Sequence, residues 1–89
     1  MTSAIVYQGH LRTSATHLQS SISIETDAPT DNQGKGERFS PTDLLATSLG
    51  SCMMTIMGIK ARDMNIDLTG VRLDVQKHMK SDPRRVGGI

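Results

Sequence analysis

Cys52 is the single cysteine of the chain and its one strong nucleophile, so any thiol chemistry must start there. A cysteine reacts as its thiolate, which needs a depressed pKa, a nearby cation and a path for substrate. Arg12, Arg38, Arg72, Arg84 and Arg85 are the candidate cations. A guanidinium stays charged and can orient against a sulfur or a carboxylate. His10, His17 and His78 fall in three separate segments without metal-ligand spacing and read as solvated surface residues. Arg84-Arg85 after an Asp-Pro pair reads first as a solvated strand entry. Gly34-Lys35-Gly36-Glu37 is a flexible turn, because a phosphate loop requires a preceding buried strand and a Lys-Ser/Thr ending.

The clearest structural signal surrounds Cys52. Ser40 stands as N-cap, Pro41 at the first helical position and Asp43 at the third, placing a carboxylate by the positive end of the helix dipole. The helix is expected to run to Asp63 or Met64, where charge returns and Asn65 can adopt the left-handed stop conformation. Leu45, Leu49, Cys52, Ile56 and Ile59 recur at spacings of three and four, so Cys52 lies on an apolar stripe. Leu44, Met53 and Met57 widen the stripe, and Thr47, Gly50, Ser51, Met54 and Gly58 keep the other side small or apolar. A helix apolar nearly all round must be covered nearly all round. Cys52 lies some three turns beyond Pro41, where the helix dipole no longer lowers a thiol pKa much. The plain reading of Cys52 is therefore a small core hydrophobe, and a reactive thiol would need an arginine brought from elsewhere.

Around this helix, Ala4 to Glu25 mixes β-branched and polar residues and predicts two or three short antiparallel strands. Thr26 to Glu37 predicts a mobile loop. Val71 to Met79 alternates apolar and polar for nine residues and predicts the best strand in the chain. Ser81-Asp82-Pro83 predicts a turn, and Arg84 to Ile89 the opening of another strand.

With 89 residues the chain has room for one domain of marginal core, here 1–89, expected to be incomplete at its C-terminus. A lone cysteine excludes an internal disulfide and points to a reducing compartment, so a cytoplasmic protein is expected. A net charge of +1 without a basic block, and only one Phe and one Tyr, argue against nucleic-acid binding. The uncharged stretch from Leu44 to Ile59 is too short and too polar for a membrane span, and no cofactor or metal site is indicated.

The segment FSPTDLLATSLGSCMMTIMGIKARDMNIDLTG, Phe39 to Gly70, with the later DPRR turn at Asp82 to Arg85, resembles the OsmC/Ohr family of peroxide-detoxifying proteins, in its OsmC-like branch. The resemblance implies an α+β fold, with antiparallel strands packed on a long central helix and an intertwined homodimer whose sites lie at the subunit interface. It implies that Cys52 is the peroxidatic thiol of a hydroperoxide reductase serving oxidative-stress defence, with an external thiol or dithiol as reductant. The stripe residues Leu45, Leu49, Met53 and Ile56 are those available to line a pocket for a small hydroperoxide. The family's resolving cysteine would follow beyond Ile89. Where the family has a glutamate that orients an arginine over the sulfur, this chain has Thr42 with Asp43 beside it, and the arginine itself matches Arg12. The other reading is a non-enzymatic dimeric domain of the same fold that binds a small apolar ligand or serves assembly only.

Overall fold

The computed structural model describes all 89 residues, which form two compact units, Met1–Pro41 and Thr42–Ile89. The first is a three-stranded antiparallel meander of β1 (Ser3–Gly9), β2 (Arg12–His17) and β3 (Ser23–Asp27), paired in the order β1-β2-β3. Its register places Val6 opposite Ser14, and Arg12 opposite Asp27. The three strands meet the expectation from β-branched content. The segment expected as a mobile loop is held at both ends. β3 extends into it as far as Asp27, Thr30–Asn32 form one 3₁₀ turn, and Asp27 N–H donates to the Phe39 carbonyl at 3.1 Å.

The second unit is built on α1 (Pro41–Asp63), which starts at the predicted proline. It stops as predicted too. Asn65 has φ 57°, Ile66 N–H donates to the Ala61 carbonyl at 2.8 Å, and Asn65 N–H donates to the Arg62 carbonyl at 3.1 Å. These two bonds satisfy carbonyls that the last helical turn leaves without a partner. At 23 residues α1 outruns the 16-residue uncharged stretch on both sides and, with a best-window mean hydropathy of 1.4, is long and apolar enough to cross a membrane by length and composition. The core helix of a soluble domain satisfies the same criterion.

One expectation fails here. Val71 to Met79 is not one long strand, because the ladder covers only β4 (His78–Lys80), paired with β5 (Arg85–Gly88). A strand needs a neighbour to accept and donate its backbone hydrogen bonds, and β5 spans too few residues to serve Val71 to Lys77. Within this chain α1 is buried on one side, the small-residue side opposite the Cys52 stripe. Its buried residues are Ala46, Gly50 and Ala61, and Leu73 and Val75 pack there. A Cβ on Gly50 would stand 2.9 Å from Val75 Cγ2 and 3.1 Å from Leu73 Cδ2, so the absent side chain sets how closely the segment approaches.

Candidate functional site

Advancing 100° per residue, α1 carries Cys52 roughly 200° round from Gly50, on the side away from Leu73 and Val75. Leu45 and Ile59, seven residues before and after it, share that side. The stripe is uncovered: Leu45, Ile56 and Ile59 are 54%, 62% and 51% exposed. Cys52 itself is exposed, and its sulfur holds no hydrogen bond or charged partner within its unit. Within this single chain nothing covers Cys52. Burial fell to the small residues, whose shape lets a second segment approach closely.

The expected pocket is only partly formed. Leu49 and Met53 line an open cavity of about 180 Å³ together with Leu73, Val75 and Ile89, whereas Leu45 and Ile56 stand outside it. A neighbouring groove of about 350 Å³ follows Gly50, Ser51 and Met54. A larger cavity of about 530 Å³ sits at the helix C-terminus between Gly58 and Thr69. Cys52 lines none of the three. No group of three or more His, Cys, Asp or Glu side chains is placed to hold a metal.

Thr42 and Asp43 at the helix start meet a residue that the sequence reading passed over. Lys77 Nζ donates to Thr42 Oγ1 at 2.7 Å and lies 3.0 Å from Asp43 Oδ1. Asp43, in the first turn of α1, is tied through Lys77 to the segment entering β4. Thr42 and Lys77 are 35 residues apart, and nothing in the alternating pattern around Lys77 marks it for that role.

Arg12 belongs to the other unit, and there it is committed to carboxylates. Its Nε donates to Asp27 Oδ1 at 2.7 Å and its Nη2 to Asp27 Oδ2 at 2.8 Å, with a further contact from Nη2 to Glu37 Oε1 at 3.2 Å. Glu37 N–H donates to Asp27 Oδ2 at 3.1 Å, closing the cluster. Asp27 is 1% exposed. The bidentate hydrogen bonds from Arg12 hold its carboxyl below the ordinary carboxylate range, against the opposing effect of burial, and the same partner raises the Arg12 guanidinium further above its ordinary value. Asp27 and Glu37 were missed because their pairing depends on the β2–β3 register, which the turn sequence does not dictate. The other arginines proposed for Cys52 are also engaged: Arg38 with Glu25, Arg72 with Asp74, and Arg85 with the Ser81 and Pro83 carbonyls.

The helix signature and the fold both find counterparts among known proteins. Residues 34–89 match the family described as OsmC-like protein. The crystal structure of a protein from Psychrobacter arcticus 273-4, assigned to osmotic stress induction and detoxification response, superposes with a TM-score of 0.94 at 70% sequence identity, covering 97% of this chain. This chain spans 63% of the length of that one. None of the curated proteins matches significantly. The chain belongs to the OsmC-like family and has its mixed α+β fold, with antiparallel strands and one long helix.

Proposed function

We propose that the chain serves a stress-related detoxification function, and that it does so by thiol-dependent reduction of hydroperoxides at Cys52. The carrying observation is an exposed, unpartnered thiol on the large-residue face of the family's signature helix. Support for the coarser role comes from the Psychrobacter relative's assignment to osmotic stress and detoxification. In the reaction the Cys52 thiolate attacks the distal oxygen of ROOH. An S–O bond forms, the O–O bond breaks, and the departing alkoxide takes a proton to leave as alcohol, with Cys52 left as sulfenic acid. An external thiol or dithiol then condenses with the sulfenic acid and releases water, and a second thiol equivalent reduces the mixed disulfide.

A second copy of the chain is the proposed cover for the stripe. Leu45, Leu49, Met53, Ile56, Met57 and Ile59 are all about half exposed. Completing their burial is worth on the order of 5 kcal/mol in total, from roughly 1.5–3 kcal/mol per fully buried side chain. Such a cover would also exclude water from Cys52, which suits a soluble cytoplasmic dimer better than a membrane span for α1.

The test is stoichiometric organic hydroperoxide added to the full-length protein, followed by a dimedone-type probe and mass spectrometry. Labelling of Cys52, abolished in Cys52→Ser, is expected. A full-length protein left unlabelled while its thiol stays reduced would refute peroxidase chemistry. The engagement of Arg12 by Asp27 and Glu37 favours a second reading, a non-enzymatic dimeric domain with Cys52 as packing. In that case Cys52→Ser leaves function intact.

A further inference from the structure

The Gly34-Lys35-Gly36-Glu37 turn and the β1–β2 hairpin together leave a feature that the thiol chemistry does not use. An open cavity of about 190 Å³ is lined by Gln8, Gly9, His10, Arg12 and Lys35. Its volume falls below the roughly 300 Å³ at which sites for drug-sized molecules begin, so it suits a small ion or the end of a larger molecule. Every side chain lining it is polar and none is acidic. Asp27 and Glu37 grip Arg12 through Nε and Nη2 and do not line the cavity, so Nη1 keeps its donors. Lys35 and His10 form no hydrogen bond or ion pair, whereas Arg12 and Arg38 of the same unit are both paired with carboxylates.

The backbone fixes these groups in place. At Gly34 a Cβ would run into the Ala28 carbonyl, and Gly34 N–H donates to the Pro29 carbonyl at 2.9 Å, so the residue before Lys35 is pinned. On the other wall, His10 and Leu11 both have positive φ, 56° and 62°, at the two central positions of the hairpin turn. Those positions favour Asn-Gly, and a side chain there costs roughly 1–2 kcal/mol per residue. Part of that cost is offset locally, because Leu11 N–H donates to Tyr7 Oη at 3.1 Å. A tight hairpin that keeps histidine where glycine or asparagine would relax it points to a use for the side chain.

We propose that this cavity binds a small tetrahedral oxyanion of the phosphate class, either free or as the terminal phosphate of a small molecule. Lys35 supplies the uncompensated charge, the free Arg12 donors fix orientation, and Gln8 and His10 complete the hydrogen bonds. The test of this site does not depend on peroxide reduction at Cys52.

Inorganic phosphate and glycerol phosphate are titrated separately into the intact chain at constant ionic strength, followed by amide chemical shifts. Saturable binding is expected with shifts at Gly9, His10 and Lys35, together with at least fivefold weakening in Lys35→Ala and loss in Lys35→Glu. Lys60→Ala, a change of equal charge on α1, is expected to leave the affinity unchanged. Tighter binding of glycerol phosphate supports the site as a receiver of a larger molecule's phosphate, and equal binding supports a free anion. Lack of saturation with both ligands overturns the proposal, as does equal affinity in Lys35→Glu, or equal weakening in Lys60→Ala. Lys35 is exposed, so the variants retain the fold, and a thermal melt checks this.

Discussion

The two units of this chain are stabilised in opposite ways. In Met1–Pro41 the buried groups are polar: Thr26, Asp27 and Ser40 are withdrawn from solvent, and an arginine with two carboxylates joins β2, β3 and the loop after them. In Thr42–Ile89 the buried apolar side chains are only those of Ala46 and Ala61, while Leu45, Leu49, Met53, Ile56, Met57 and Ile59 of α1 stay about half exposed. A polar cluster can be completed inside one chain because each donor meets its acceptor there. An apolar stripe is completed only by more apolar surface, and within this unit Leu45, Ile56 and Ile59 stay about half exposed. The polar cluster of the first unit is finished internally, although Ile5, Val6, Tyr7 and Ile22 on its strands stay exposed, whereas the second unit has no such cluster and leaves the stripe of α1 open.

Ile56→Asp combined with Ile59→Asp challenges that contrast most severely. If a second copy covers the stripe, two buried charges should raise the dimer dissociation constant at least 100-fold, read by sedimentation or light scattering, from a cost of more than about 2.7 kcal/mol. An unchanged mass would mean that the stripe is not the interface. Arg12→Ala strips the first unit of its cation and leaves Asp27 withdrawn from solvent without its charge partner, so a fall in Tm on the order of 10 °C is expected. Gly50→Val probes the one tight contact of the second unit. Overpacking against Leu73 and Val75 should cost about 2 kcal/mol by denaturant unfolding.

Acid titration separates the units more gently. Asp27 is held below its unfolded value of about 3.9. The stability it confers is therefore fully present above that pH and is lost as pH falls through its lower folded value. Unfolding should set in below about pH 4, and Asp27→Asn should blunt this acid limb while lowering stability at neutral pH. The smallest effect is expected at the helix stop: Asn65→Ala, which forces a Cβ-bearing residue without asparagine's local hydrogen bonding into positive φ, should cost about 1 kcal/mol.

What could be read from the sequence follows the range of the interactions. The start and stop of α1 were legible because Ser40-Pro41 and Asn65 act within a turn of themselves. The three strands were legible from β-branched content, and the β4–β5 turn from Asp82-Pro83. Which face α1 buries was not, because a stripe of Leu and Ile and a stripe of Ala and Gly are both compatible with packing. The choice depends on how closely Leu73 and Val75 can approach Gly50. The strand expected over Val71 to Met79 shows the same limit: alternation describes a strand's faces and says nothing of whether an edge is available to pair with it. Cys52 was singled out from its surroundings, while the pairings of Lys77 in one unit and of Asp27 and Glu37 in the other were hidden by sequence separation and register.

The meander order of β1, β2 and β3 also bears on how the chain is made. Each strand pairs with its immediate neighbour in sequence, so the contacts are local and hairpin closure takes roughly 1–10 μs. At a synthesis rate of about 5–20 residues per second, the first 41 residues can pair long before α1 leaves the ribosome. The helix then emerges with its large apolar face open, and if a second copy covers that face, the interval before it docks is when the nascent chain is most exposed to aggregation.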